Sequence, residues 1–99
     1  MQHTIKIPTD KSPRFALGQI VATPGALDLA GDSINLGEYI GRHWVGDWSE
    51  MDEEDRQENE LSIKQGFRIF SSYETGSGRL WVITEWDRSV TTVLSLEDY

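Results

Sequence analysis

The chain of 99 residues contains no cysteine, which excludes a disulfide framework, a thiolate zinc site and a thiol nucleophile. Only two histidines are present, His3 and His43, and they leave no His-Glu-x-x-His or paired-His spacing for a metal. No apolar run approaches the roughly 18 residues that a membrane span needs. Residues 1–13 carry neither the apolar stretch nor the cleavage pattern of a secretory signal, and the reading that follows is a cytoplasmic protein. Cationic side chains are scarce: 9 Lys+Arg stand against 17 Asp+Glu, for a formal net charge of −8. That balance has the wrong sign for direct electrostatic binding of nucleic acid. None of the serines sits in a Gly-x-Ser-x-Gly elbow. Gly76-Ser77-Gly78 lies between two predicted strands, so it reads as a hairpin turn; a phosphate cradle requires a following helix N-terminus.

The length allows one small domain and is short for an enzyme built on a large α/β sheet. Pro8 and Pro13 flank polar residues, and residues 1–13 are expected to form a flexible leader, with a short edge strand at Ile5 and Ile7 as the alternative. Phe15, Leu17, Ile20 and Val21 predict a strand in which Gly18 marks a bulge or a close backbone approach. Thr23-Pro24 then opens a short helix that Gly31 stops. Asn35 caps a second helix, whose Leu36, Tyr39, Ile40 and His43 share one face. Ser49 is expected to cap a third helix over residues 50–65, ended by Gly66. From Phe67 onward the pattern is β: residues 67–74, 80–86 and 90–96 predict a three-stranded antiparallel meander. The expected fold is α+β, a three- to four-stranded antiparallel sheet with two or three helices packed on one face, formed by residues 14–99.

Leu80, Val82, Thr84 and Trp86 fall on one face of the central strand, and Trp81 and Ile83 on the other. Both faces therefore carry large apolar groups. Either the second face packs against the N-terminal strand and leader, or it is exposed and marks a contact or self-association surface.

His43 with Asp47 is the one candidate acid–base or metal pair, set against a histidine that serves as a cap or core-edge group. The least ordinary feature is the carboxylate run Asp47, Glu50, Asp52, Glu53, Glu54, Asp55, Glu58 and Glu60, broken by one basic residue, Arg56. Like charges at i, i+3 and i+4 repel by a few tenths of a kcal/mol per pair, and a cap explains only the first turn. The run reads either as a solvated face that keeps a small domain soluble or as a negative stripe that imitates the phosphates expected by a nucleic-acid-binding protein.

Four stretches carry a resemblance: residues 17–27 (LGQIVATPGAL), 42–48 (RHWVGDW), 52–59 (DEEDRQEN) and 81–94 (WVITEWDRSVTTVL). Together, over about residues 14–99, the chain resembles a family of small bacterial proteins, of no established activity, carried on plasmids, phages and integrated mobile elements. No catalytic residue is carried over from such a family. The resemblance implies a mobile-element accessory protein, and by association one that acts against a host defence such as a CRISPR or restriction complex.

The expected function is thus a non-enzymatic acidic binding protein, without cofactor or metal. Its partner would be a host nucleic-acid-binding or defence complex. Trp44, Asp47, Trp48, Asp52, Glu53, Asp55, Glu58 and Glu60 are the expected partner-binding residues, with Trp48 as the anchor. The alternative is a small homodimeric regulatory or structural domain.

Overall fold

Alternation of inward and outward side chains builds the sheet. A computed structural model describes Ile5, Ile7 and residues 10–98, the side chain of Glu97 excepted. Strands β2 (Ile69–Glu74), β3 (Arg79–Thr84) and β4 (Val90–Ser95) form the expected antiparallel meander. One face aligns Tyr73 with Leu80 and Val82 with Val93, all four fully buried. The β2–β3 turn closes on the Thr75 N–H, which donates to the Gly78 carbonyl at 3.0 Å.

The N-terminal strand β1 (Gln19–Ala22) also joins the sheet, but beside β4 and parallel to it, giving a mixed sheet of order β1-β4-β3-β2. The expectation of an all-antiparallel sheet is corrected here. A parallel pair requires a crossover of a dozen or more residues, and most of the domain lies between these two strands. Gly18, at φ +66°, leads into β1 where a Cβ would sit 2.4 Å from the Arg88 carbonyl and the Ser89 backbone. The close approach expected at this glycine is therefore real, and it seats β1 against the β3–β4 turn.

Helices α1 (Pro24–Ala30) and α2 (Leu36–Trp44) start where their caps predict. The Thr23 side chain accepts the Ala26 N–H, and the Asn35 side chain accepts the Gly37 N–H. Ala26, Ala30, Leu36 and Ile40 press onto the Tyr73–Leu80–Val82–Val93 face, with Leu17 completing the core. Ile5 packs against this cluster and belongs to no strand; most of the expected leader, residues 1–4, 6, 8 and 9, lies outside the described residues. On the second face the large groups pack on one another. Phe70 meets Trp81 edge-on at 5.2 Å, and Ile83 and Leu94 are buried.

Helix α3 (Glu53–Gln65) begins three residues later than expected, capped by Asp52, whose carboxylate accepts the Asp55 N–H at 3.1 Å. Ser49 is not the cap because Asp47 takes both its hydroxyl, at 3.0 Å, and its N–H. Glu50 is likewise drawn out of the helix, onto Arg42 and the Glu74 N–H. α3 buries only Asn59 and Ser62. Asn59 accounts for the docking. Its amide donates to the Phe70 carbonyl at 2.6 Å and accepts the Phe70 N–H at 3.1 Å, so a side chain supplies the bonds that a neighbouring strand would have made at the open edge of β2.

Candidate functional site

The polar residues divide into those the fold consumes and those it leaves available. His43 is consumed completely. It is fully buried on α2, with Nδ1 2.5 Å from the Ser71 hydroxyl and Nε2 2.8 Å from the Thr84 hydroxyl. Thr84 lies 2.7 Å from Thr91, which donates to the Leu17 carbonyl at 2.7 Å. A carbonyl only accepts, so the direction of the whole chain is fixed. Thr91 gives its proton to Leu17, Thr84 donates to Thr91, and His43 donates from Nε2 to Thr84. Ser71 then donates to Nδ1. The imidazole is held neutral as its Nε2–H tautomer. Burial, reinforced by the nearby Arg88 cation, pushes its pKa down to about 3.

The expected His43–Asp47 pair does not form, because the Asp47 carboxylate faces Arg42. Arg42 organises that loop. Its Nε donates to Asp47 at 2.9 Å and its Nη2 lies 3.1 Å from Glu50. The guanidinium also stacks 4.5 Å above the Tyr73 ring, and the Tyr73 hydroxyl donates to the Asp47 carbonyl at 2.8 Å. Burial raises the Asp47 pKa, but the hydrogen bonds from Arg42 and Ser49 outweigh it and hold the carboxyl below its ordinary value.

Both tryptophans of the expected partner-binding loop are spent on the domain itself. Trp44 is half-buried, and its indole N–H donates to the Phe15 carbonyl at 2.7 Å. Trp48 is only 3% exposed, beneath the Arg14 guanidinium at 5.8 Å. Among the described residues, its indole N–H is the buried side-chain polar atom without a hydrogen-bond partner. Arg14 in turn grips Glu60 through two bonds of 2.7 and 2.8 Å. Of the eight expected partner-binding residues, Trp44, Asp47, Trp48, Asp52 and Glu60 thus have defined work inside the chain.

Glu53, Asp55 and Glu58 do not. They stand exposed on α3 beside Glu54, and none of the four makes an ion pair among the described residues. Glu53 accepts only a 3.5 Å bond from Gln57 on the same helix. Glu54, Gln57, Glu58 and Leu61 line a shallow hollow of about 340 Å³ on this outer side. Five of the six arginines are engaged elsewhere: Arg14, Arg42, Arg68 and Arg79 with carboxylates, and Arg88 with backbone carbonyls; Arg56 stands exposed on α3 itself, with no ion pair among the described residues.

Two exposed aromatic residues stand past the C-terminus of α3 and in the β3–β4 turn. Phe67 and Trp86 were read as strand residues, but β2 starts at Ile69 and β3 ends at Thr84. The Phe67 N–H instead completes the α3 C-terminus on the Ser62 carbonyl at 3.0 Å. Arg88 gathers the rest: Nη1 donates to the carbonyls of Phe67 at 2.7 Å, Glu85 at 3.0 Å and Trp86 at 3.3 Å, and Nη2 to that of Ser62 at 3.0 Å. The two rings are left in solvent, Phe67 at 52% exposure and Trp86 at 66%. Gly66 and the Asp87-Arg88 turn, which truncate the strands beside them, were the available signal.

Another hollow, about 440 Å³, lies where α1 meets the β2–β3 turn, lined by Asp28, Leu29, Gly78 and Leu96 among others. Among the described residues no cluster of His, Asp and Glu has metal-binding geometry, and no helix is long and apolar enough to cross a membrane. No protein-family model, curated protein or solved structure matches the chain.

Proposed function

We propose that this protein is a non-enzymatic acidic binding protein whose helix α3 occupies a basic, nucleic-acid-binding surface on another protein. One observation carries the reading. Glu53, Glu54, Asp55 and Glu58 stand exposed without ion pairs, while four of the arginines neutralise carboxylates elsewhere. Carboxylates without ion pairs on one helix, four of them against the single Arg56 over residues 53–58, concentrate the field of a chain of net charge −8 and offer a basic partner attraction. The target class is the one implied by the resemblance to mobile-element proteins, a CRISPR or restriction complex of the host.

Charge reversal at Glu53, Asp55 and Glu58 together tests it. None of these side chains bonds to another element, and Glu53 and Asp55 act on α3 only through the dipole at its first turn, so circular dichroism is expected to show a folded domain with at most a small loss of stability. Capture of nucleic-acid-binding proteins from a nuclease-treated bacterial lysate, salt-sensitive with the wild-type chain, is expected to vanish with the triple variant. Capture that survives the reversal overturns the proposal.

A second reading, a homodimer through the sheet, is favoured by β1, an edge strand with Ile20 and Val21 exposed on it. Light scattering over a range of concentrations checks it, and a monomer at the highest concentration removes it.

A further inference from the structure

We infer that the hollow between α1 and the β2–β3 turn is a binding site for a small organic cation, a primary amine carried on a short apolar body. The inference goes beyond the proposed function and does not depend on the acidic helix.

The hollow gathers residues far apart in the sequence. Its volume, about 440 Å³, falls in the range of small-molecule sites. Leu29 of α1 and Leu96 of the C-terminal 3-10 turn (Leu96–Asp98) line it with apolar surface, and Leu96 is 54% exposed. Two glycines set how closely the surrounding elements approach. A Cβ at Gly78, which holds φ +145°, would sit 3.0 Å from the Leu29 side chain. One at Gly25 would fall 2.2 Å from the Asp98 carboxylate.

Charge selects the ligand. Asp28 lines the hollow and is exposed, and its carboxylate has no hydrogen bond or ion pair among the described residues. A second carboxylate touches the lining. Asp98 accepts the Thr23 hydroxyl at 2.5 Å and that of Ser95, a lining residue, at 3.1 Å. These bonds, the one from Thr23 foremost, hold the Asp98 carboxyl below its ordinary value, so it is ionised at neutral pH. The one cation among the lining residues is already engaged. Arg79 donates to the Ser72 hydroxyl at 2.9 Å and lies 3.5 Å from Glu74. Strand alternation puts Ser72 and Glu74 on the face opposite Tyr73, away from α1. The hollow therefore presents an unshared group that only accepts and no unshared cation, in a chain of net charge −8. That field repels an anion and concentrates a cation. A zwitterion finds no free cation for its carboxylate. An ammonium reaches Asp28 while its apolar body lies against Leu29 and Leu96.

The test titrates the whole nitrogen-15-labelled chain with phenethylamine at physiological salt, followed by amide shifts in NMR. Parallel titrations use 2-phenylethanol and 3-phenylpropionate. Expected are saturable shifts at Gly25, Asp28, Gly78 and Leu96 with the amine, at least tenfold weaker binding of the alcohol, and no saturable shift with the carboxylate. Asp28→Asn is expected to bind the amine at least tenfold more weakly, and Leu96→Ser at least threefold more weakly with the charge unchanged. Asp32→Asn removes an exposed aspartate outside the hollow and is expected to change nothing. The inference is overturned by an absence of saturable shifts with the amine, or by binding of the carboxylate as tight as that of the amine. Wild-type binding in Asp28→Asn or Leu96→Ser also overturns it. So does an equal loss in Asp32→Asn, the mark of diffuse attraction to an acidic surface. None of these results bears on the capture of proteins by α3.

Discussion

Helix α2 with its following loop and helix α3 are both rich in polar residues, and the fold treats them oppositely. On α2 and the loop, Arg42, His43, Asp47 and Glu50 all point into bonds: His43 into a buried hydroxyl chain, the other three into one ion-pair cluster over Tyr73. On α3, Asn59 and Ser62 are buried and Glu60 meets Arg14, while Glu53, Glu54, Asp55 and Glu58 are left to solvent. Charge density does not distinguish the two. What does is whether a partner of opposite sign, or a stranded backbone group, lies within reach. A polar group removed from water has to be bonded, so the first region is held by its polar atoms. The second is held by the Asn59 amide, the Arg14–Glu60 pair and the bond from Arg88 to the Ser62 carbonyl, and the rest of its carboxylates face solvent.

Replacing His43 breaks the first region most severely. His43→Leu removes both bonds of a fully buried ring and strands the Ser71 hydroxyl, and the expected loss is about 2–5 kcal/mol in urea unfolding. The wild-type protein shows the same dependence through pH. The folded pKa of about 3 lies below the ordinary 6.5, so between those values the unfolded chain binds a proton that the folded chain refuses. Stability is then complete above pH 6.5 and declines as pH falls, by up to about 1.4 kcal/mol per pH unit. Asp47 and Glu60 have lowered pKa values, and their contribution goes only below the ordinary carboxylate range. A slope between pH 6.5 and 5 therefore belongs to His43 and is expected to disappear in His43→Leu; a slope that persists there contradicts the assigned neutral tautomer.

Asn59 is the corresponding weak point of the second region. Asn59→Leu leaves the Phe70 N–H and carbonyl without their partners at 3.1 and 2.6 Å, and the expected cost is about 1–3 kcal/mol. Hydrogen exchange locates the effect: the Phe70 amide should lose protection while the core of β3 keeps it. Asn59→Asp keeps the acceptor and loses the donor, and is expected to fall between wild type and Leu. Arg88→Met is expected to cost somewhat less, about 1–2 kcal/mol, because its four carbonyls regain water. It also frees the two exposed rings from α3, visible as a change in Trp86 side-chain order by NMR relaxation.

The sequence exposes the parts of this fold that are written locally. Thr23-Pro24, Asn35 and Gly66 mark helix ends through their own side chains or φ values, and alternation gives the meander and its buried face. It hides whatever depends on a distant residue. The direction of β1 is set by β4, more than sixty residues on. The start of α3 is set by Asp47, which engages Ser49, and by Arg42 and the Glu74 N–H, which engage Glu50. The division of the tryptophans followed the same rule. Trp48 looked like a loop residue and is covered by Arg14 from the other end of the domain, whereas Trp86 looked like a strand residue and is cut off from β3 by a turn that Arg88 closes. Among the carboxylates, composition marked the run and only the contacts separated Glu60 from Glu58.

That last separation defines the smallest effect. Glu60 and Arg14 form a two-bond ion pair with side chains 46% and 37% exposed, and water and salt screen it accordingly. Glu60→Gln is expected to cost no more than about 1 kcal/mol, and less as salt is added. The hydrogen bond from Arg14 holds the Glu60 carboxyl below its ordinary 4.5, so the contribution is present above that value and goes as pH falls through the folded one. Glu58→Gln, one turn away from Glu54 and unpaired, is expected to cost nothing or to stabilise slightly by relieving repulsion between like charges. A double-mutant cycle with Arg14→Gln isolates the difference: coupling with Glu60 and none with Glu58. Equal coupling for both carboxylates means that the outer side of α3 is neutralised from within, and the charge assigned to a partner is then already spent.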